Sequence, residues 1–428
     1  MLALLVNVLH FPLVATGKLS DEMLLNIFHY FLNASPQLWP RLVHICRKRR
    51  HIVFANASQQ ALYLRLFYTH GKSVLKTLDC WPALPIVLEY GGSPTLDPPA
   101  PEDEDNIVAA LKQYDRVSSI HLTISASLLE KLHLLKEPFS KLEDLFILSM
   151  DDVQQTLPST FRWGPHLSTL HLTGIALPTL HHLLLSSKDL VDIQLHEIGN
   201  ISSGSLLSAL SGMTQLQSLS IRFQSLNFLP AADSIGLDPL SGKCVVLPTL
   251  TCLKYQGTNM YFDSLVARID SPHLVDIEIT FLEPMFDVSN LRTFIDRIEV
   301  QNSHHQADIL FSDNSVSTCL TQPTLTCLRL QVFCKTPSQQ LFSVARFSSF
   351  LFYVEDVRIE AAGLSKRIPS TLVDGGRWME LIIRPIHRCE MVASSWRLLD
   401  GYRACFVPIR HAARNLPARH VQTLHPGA

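Results

Sequence analysis

The sequence predicts an α/β protein in which a short helical module precedes a long array of strand–helix units. Two observations carry this prediction. Apolar residues recur at helical spacing between residues 19 and 54, and a shorter hydrophobic pattern recurs about every 25 residues from residue 117 onward. A spacing of three to four residues is typical of a helix with one apolar face, whereas alternation is typical of a strand.

Length and composition set the limits within which these elements are interpreted. The chain has 428 residues, 47% hydrophobic and 17% charged, with a net charge of −2. It exceeds the usual size of one core, so we expect two or three domains or one elongated array. A nearly neutral chain gives no reason to expect a nucleic acid or a membrane surface as its partner.

The nine cysteines point to a reducing compartment. Their number is odd, their spacings are wide and no CxxC pair occurs, which argues against a disulfide framework and against a structural zinc site. We therefore expect a cytoplasmic or nuclear protein.

Changes of composition divide the chain into five parts. The first is an apolar leader that is too short to span a bilayer, and it is a loosely packed segment, a secretion signal or an upstream extension of the gene. The parts are the leader at 1–17, a helical module at 18–56, a connector at 57–106, the repeats at 107–365, and a fading repeat with a basic tail at 366–428.

The helical module begins at a predicted cap. Ser20 is a suitable N-cap residue, and the acidic residues after it suit the first turn of a helix. Apolar residues follow at i, i+3, i+4 and i+7, first from Leu24 and again from Trp39. So small a unit has more apolar surface than it can bury by itself, so the helices either cap a core of this chain or bind a partner.

These residues resemble the F-box, the module by which many proteins bind the Skp adaptor of cullin–RING ubiquitin ligases. The matching residues are Leu19, Glu22, Met23, Leu24, Ile27, Phe28, Trp39, Leu42, Val43, Cys46, Arg47, Arg50 and Ile52. Two positions depart from the family pattern, with Ser20 in place of proline and Arg49 in place of tryptophan. The resemblance implies a three-helix module whose adaptor contacts are Leu19, Glu22, Leu24, Ile27, Phe28, Trp39, Leu42 and Val43.

The connector is predicted to contain an exposed loop. Residues 91–105 hold four prolines, two glycines and five acidic residues without a basic one. This density of helix and strand breakers predicts a loop that ends where Asp105 or Asn106 caps the next helix.

The repeats have the form hydrophobic-x-x-hydrophobic-x-hydrophobic. They begin at residues 117, 142, 167, 190, 216, 250, 274, 325 and 354, with a gap of about two periods before 325 in which a degenerate repeat near Ile298 or Ile309 is expected. A period of this length, made of a strand and a helix, is typical of leucine-rich repeats, which stack because no single unit can bury its leucines alone. The sequence resembles irregular leucine-rich repeats, including those that follow F-boxes in fungal proteins, which implies a solenoid with parallel strands on the concave side and helices on the convex side.

The x positions of the strands are predicted to form a polar stripe. Side chains alternate across a strand, so these residues face away from the leucines. Charges of both signs suit the recognition of a protein surface better than a phosphate backbone. The predicted target-binding residues are His171, His196, Arg222, Lys254, Glu278, Arg329 and Arg358.

No catalytic motif is evident in the sequence, which contains no GxSxG, HExxH or phosphate-binding glycine loop. We therefore predict a chain that is not an enzyme, with no cofactor and no metal site. Its predicted function is substrate recognition in an SCF-type ubiquitin ligase, with a Skp-type adaptor and a protein target as partners. The alternative is a leucine-rich interaction scaffold with no ligase role, in which Ser20 and Arg49 mark a decayed F-box.

Overall fold

The fold is described from a computed structural model of the chain, which divides into two units. Unit 1 comprises Met1–Val275 with Phe294–Glu299, and unit 2 comprises Asp276–Thr293 with Val300–Ala428. The structure describes residues 20, 22–23, 26, 63–67, 74–80, 84–90, 101–149, 151, 155–158, 160–176, 184, 187–198, 201–223, 244–283, 289–298, 306–321, 327–336, 339–340, 342–344, 346–347, 354, 356–361 and 364–369. These residues form a mixed α/β structure, as predicted.

Unit 1 contains a sheet of eight parallel strands that follow one another in chain order. The strands of the unit are β1 (Leu64–Phe67), β2 (Ile86–Tyr90), β3 (Val117–Ile124), β4 (Asp144–Ser149), β5 (Gln155–Thr156), β6 (Thr169–Thr173), β7 (Ile175–Ala176), β8 (Asp192–His196), β9 (Ser218–Arg222), β10 (Val245–Val246), β11 (Cys252–Gly257) and β12 (Ile269–Asp270). The order in the large sheet is β1-β2-β3-β4-β6-β8-β9-β11. Two further parallel pairs, β5 with β7 and β10 with β12, lie outside it.

Helices separate many of these strands along the chain. They are α1 (Val74–Cys80), α2 (Pro101–Leu111), α3 (Ala126–Leu132), α4 (Ser203–Leu210) and α5 (Asn259–Val266). A sixth helix, α6 (Ser289–Arg297), has its first residues in unit 2 and its last residues in unit 1. Serine caps define two of their starts, because Ser125 Oγ accepts from the Leu128 N–H at 3.2 Å and Ser202 Oγ accepts from the Ser205 N–H at 3.0 Å. In the part of the chain that the structure describes, no helix has the length and apolar character needed to cross a membrane.

The core of unit 1 lies on one side of its sheet. A strand of this sheet contributes two buried apolar residues separated by one outward position, as Leu170 and Leu172 do in β6 and Ile193 and Leu195 do in β8; all four are 0% exposed. Alternate side chains of a strand point to opposite faces. The predicted division of each repeat into a buried side and a polar side is therefore confirmed for these strands.

Unit 2 departs from a purely parallel array. Its strands are β13 (Asp276–Phe281), β14 (Gln306–Ser312), β15 (Ser315–Thr321), β16 (Cys327–Phe333), β17 (Asp356–Ala361) and β18 (Leu364–Pro369), in the sheet order β13-β16-β15-β14-β17-β18. Only the pairs β13–β16 and β14–β17 are parallel, whereas β14–β15, β15–β16 and β17–β18 are antiparallel. The prediction that all strands of the array are parallel is wrong here.

The long gap before residue 325 explains this difference. A hairpin occupies it, with Asp313 and Asn314 as the two-residue turn between β14 and β15. Two residues can join antiparallel strands, whereas parallel strands need a crossover of a dozen residues or more. Ile309, near which a degenerate repeat was expected, lies in β14, and that strand pairs in parallel only with β17.

The connector at 57–106 also differs from its prediction. It contains β1, α1 and β2, and α2 begins at Pro101 inside the predicted loop, so neither Asp105 nor Asn106 is a cap. Proline is tolerated at the first position of a helix, where its missing N–H has no intrahelical partner. The acidic residues after it favour the same place through the helix dipole.

Little of the N-terminal module lies within the described residues. Ser20 Oγ accepts a hydrogen bond from the Met23 N–H at 3.2 Å, which confirms the predicted cap. Glu22, Met23 and Asn26 are helical and exposed. The other residues of the predicted three-helix module, the leader at 1–17 and the tail from residue 370 lie outside the described part of the chain.

Candidate functional site

The solvent side of the unit 1 sheet carries most of the predicted target-binding residues. We call the polar face the residues that alternate with the buried positions of β3, β4, β6, β8, β9 and β11. One register row across these strands consists of His121, Phe146, His171, Gln194, Ser220 and Lys254. The next row consists of Thr123, Leu148, Thr173, His196, Arg222 and Gln256.

Four of the predicted residues lie on this face. His171 and Lys254 belong to the first row, and His196 pairs directly with Arg222 in the second. The alternation in the sequence thus places them on a common surface, and their role in binding stays a prediction.

A carboxylate at the centre of the face fixes the first histidine. His171 Nε2 donates to Asp192 Oδ2 at 2.7 Å, and the Gln194 side chain donates to the same oxygen at 3.0 Å. Burial by itself raises the pKa of Asp192, but hydrogen bonds from His171, Ser218 and Gln194 outweigh it, so the pKa lies below its ordinary value. Asp192 is therefore ionised at neutral pH and holds the His171 ring in one orientation.

The second histidine of the polar face, His196, lies near positively charged side chains instead of being bonded to a carboxylate. Its Nε2 lies 3.1 Å from Ser220 Oγ. Burial, together with the nearby Arg222 and His171, lowers the pKa of His196 to about 4, although Asp192 opposes the shift. His196 is therefore neutral at physiological pH.

A serine, a histidine and an aspartate that lie near one another can form a catalytic triad, in which the histidine activates the serine as a nucleophile. Here Asp192 contacts His171 and not the histidine beside Ser220. A histidine whose pKa is near 4 is also a weak base at neutral pH. This geometry provides no activated serine, and it suits binding better than acyl transfer.

An aromatic row borders the polar cluster. The Phe146 ring lies 5.9 Å from the His121 ring and 5.7 Å from the His171 ring, measured between centroids. Phe146 remains 37% exposed, which is unusual for a large apolar side chain in the middle of a sheet. Sequence reasoning missed Phe146 and His121 as site residues, although both occupy the outward position of their repeats.

Two cations on the polar face have no acidic partner among the described residues. Arg222 is exposed and Lys254 is half-buried. Within the residues that the structure describes, neither has a carboxylate oxygen within 4.0 Å. Their charges are available to a ligand that reaches this side of the sheet.

Unit 2 has a polar row of its own. Glu278 pairs in register with Arg329, and the carboxylate lies 3.9 Å from the guanidinium. The register continues to Cys319, Asp308 and Arg358. Two strands separate Arg358 from Arg329, so the structure places Glu278 and Arg329 together and Arg358 apart from them.

Most predicted adaptor contacts lie outside the described residues. These are Leu19, Leu24, Ile27, Phe28, Trp39, Leu42 and Val43. Glu22 is described, and it is exposed on the helix that begins at Ser20.

The described residues contain no group of three histidine, cysteine or acidic side chains that is placed to hold a metal ion. They form a mixed α/β protein with extensive parallel strand pairing, in which the polar face combines exposed and buried side chains. No protein-family model matches the chain, and a search of curated proteins finds no match.

Proposed function

We propose that this chain is a substrate-recognition subunit of an SCF-type ubiquitin ligase. Residues 18–56 would form the three-helix F-box that binds a Skp-type adaptor, and the strand–helix units would form an irregular leucine-rich-repeat solenoid that binds a protein target. The chain would act in the cytoplasm or nucleus, and it would itself catalyse nothing. Its contribution would be to hold target lysines at high effective concentration near the ligase.

The polar face carries the target-binding half of the proposal. It combines an exposed aromatic ring, a fixed histidine–carboxylate pair and two cations that have no acidic partner in the described part of the chain. Protein interfaces use such a mixture, since aromatic residues and arginine dominate their energetics and unpaired charges select a complementary partner. A target segment with carboxylate or other anionic groups near an apolar side chain would complement Phe146 and Arg222.

The adaptor-binding half is supported by the F-box resemblance of the N-terminal sequence. The Ser20 cap adds a local argument, because it starts a helix at the position where the F-box pattern requires one. A serine in place of the usual proline is therefore compatible with this start, since both residue types are favoured near helix N-termini.

Adaptor binding is tested by introducing charge into the apolar helix. We expect the purified wild-type chain to retain a purified Skp-type adaptor in a pull-down, and the double variant Leu24→Asp, Ile27→Asp to lose at least tenfold in affinity, because buried aspartates would face an apolar adaptor surface. Asn26→Asp is the matched control, since Asn26 is exposed on the same helix. If the wild-type chain does not bind, the scaffold alternative with a decayed F-box replaces the ligase role.

Target binding is tested by reversing the two unpaired cations. We expect Arg222→Glu with Lys254→Glu to remove a subset of the proteins that co-purify with the tagged chain, as measured by quantitative mass spectrometry, while the adaptor stays bound. Lys136→Glu with Lys141→Glu is the control, because both lysines are exposed in the segment between α3 and β4, and the charge change is equal. An unchanged set of co-purifying proteins would contradict a role of the polar face.

A further inference from the structure

Two thiols lie in contact on neighbouring strands of unit 2. Cys319 Sγ in β15 is 3.5 Å from Cys327 Sγ in β16. The strands are antiparallel, and their register pairs Cys319 with Arg329 and Thr321 with Cys327, so the two cysteines occupy diagonal positions. Both are free thiols and half-buried, and they alternate with the buried Leu320 and Leu328.

A cation accompanies the thiol pair. Arg329 lies directly opposite Cys319 in the strand register and interacts electrostatically with both sulfurs. A positive charge in this place disfavours a metal ion. No further histidine, cysteine or acidic ligand in the described residues completes a metal site around the pair. The arrangement therefore suits sulfur chemistry between the two cysteines.

We propose that Cys319 and Cys327 form a reversible disulfide when a hydroperoxide oxidises the protein. The Cys319 thiol loses its proton as its sulfur attacks one peroxide oxygen, so an S–O bond forms, the O–O bond breaks, and the second oxygen leaves as water after taking up a proton. The Cys327 sulfur then attacks the Cys319 sulfur, the S–S bond forms, and the hydroxyl of the sulfenic acid leaves as water with the Cys327 proton. Two thiols and one hydrogen peroxide thus give one disulfide and two waters.

The surroundings set the order of these steps. Burial first, and then the neighbouring Cys319, raises the pKa of Cys327 to about 11, so its thiol is protonated at neutral pH. Cys319 lies directly opposite Arg329 in the strand register and is the sulfur that reacts with the oxidant. Cys327 lies in contact with it and resolves the sulfenic acid before a second oxidation.

The diagonal placement makes the bond easy to reverse. Diagonal positions on antiparallel strands are about 7–8 Å apart, which exceeds the usual Cα separation across a disulfide, so the two strands must shift for the bond to form. The sulfurs must also move closer, from 3.5 Å to the length of a covalent bond. Disulfides under such strain are reduced readily by cellular thiols. This property is typical of reversible regulatory disulfides, whereas structural disulfides resist reduction.

The test uses the purified full-length chain and hydrogen peroxide. After mild oxidation, free thiols are blocked with N-ethylmaleimide and the protein is digested without reductant. No lysine or arginine lies between the two cysteines, so trypsin leaves both in one peptide, residues 298–329. We expect more than half of this peptide to lack maleimide and to have lost two hydrogens, and we expect glutathione to restore the maleimide-labelled form.

Chymotrypsin gives a second readout, because cleavage after Leu320 or Leu325 produces two peptides that only the disulfide holds together. In Cys327→Ser the sulfenic acid has no resolving partner, so dimedone should label Cys319, whereas Cys319→Ser should leave Cys327 unlabelled by dimedone. The proposal is overturned if both cysteines of the oxidised wild type still react with maleimide, or if either pairs with a different cysteine. The measurement on the wild type tests the disulfide proposal even if a variant fails to fold. Its result does not depend on whether the chain binds an adaptor.

Discussion

Gly257→Ala is expected to lower the free energy of unfolding of unit 1 by about 2–3 kcal/mol, the usual cost of forcing an extra carbon into a packed core. Gly257 is the last residue of β11. A Cβ atom at this position would lie 2.7 Å from Tyr255 Cζ and 2.8 Å from Phe223 Cδ2, and it would clash with the Tyr255 hydroxyl oxygen. Real Cβ atoms essentially never come so close to other heavy atoms, so the rings must move.

The surrounding aromatic residues leave the rings no simple way to move. Tyr255 is 2% exposed, and its hydroxyl donates to the Thr258 carbonyl oxygen at 2.7 Å. Its ring centroid lies 5.0 Å from that of Phe262, and the Phe223 centroid lies 4.9 Å from that of Tyr261. Any displacement that relieves the clash breaks the buried hydrogen bond or disturbs these contacts, and each of these losses destabilises the fold.

Gly212→Ala is the matched control, because a Cβ there meets no atom within 4 Å. We expect its free energy of unfolding to stay within about 0.5 kcal/mol of the wild type. Urea unfolding measures both variants, and hydrogen exchange of the β11 amides reports the local effect. Equal stability of the two variants would show that the Phe223–Tyr255 packing tolerates a methyl group.

The parts of the fold that follow from alternation were predictable from the sequence. In β6 and β8 the leucines and isoleucines of the repeat pattern are buried, and the residues between them, such as His171 and His196, share the opposite face. The face that a side chain occupies follows from alternation along the strand, so it can be predicted without knowing which distant residues the strand contacts. For the same reason the sequence predicted four of the residues on the polar face.

Features that depend on pairing between strands were not predictable in this way. The His171–Asp192 contact joins two repeats, and the repeat pattern does not reveal which outward side chains meet across a strand pair. The antiparallel hairpin at 306–321 does not follow from the repeat spacing, which predicts only another parallel strand there, although Asp313 and Asn314 are typical turn residues. The start of α2 differs from the prediction because proline breaks a helix in its interior but is favoured at its first position, where Pro101 lies.

His196 should make unit 1 less stable in mildly acidic solution. In the unfolded chain a histidine has a pKa near 6.5, whereas burial beside Arg222 and His171 lowers the pKa of His196 to about 4 in the folded protein. Between these two values the unfolded state binds a proton that the folded state does not. The free energy of unfolding therefore falls as the pH decreases from about 6.5 to about 4, and below that value the contribution of His196 becomes constant.

The expected loss is on the order of 2 kcal/mol, because a difference of one pKa unit corresponds to about 1.4 kcal/mol and solvent reduces the effect at a half-buried side chain. His196→Gln removes the titrating group and keeps a polar side chain beside Ser220, so its stability should change less across this pH range. His121→Gln is the control, since His121 is exposed on the same face. Urea unfolding at a series of pH values compares the three proteins.

The pH at which stability is lost distinguishes protonation of His196 from protonation of Asp192. The pKa of Asp192 lies below the ordinary value, so the stability that its hydrogen bonds contribute is present above the pKa of the unfolded chain, near 4, and is lost only as the pH falls through the lower folded value. A loss that begins near pH 6.5 therefore belongs to a histidine, and a loss confined to lower pH belongs to the carboxylate. If the wild type and His196→Gln lose stability equally between pH 6.5 and 4, the neutral state of His196, and with it the electrostatic description of the polar face, is wrong.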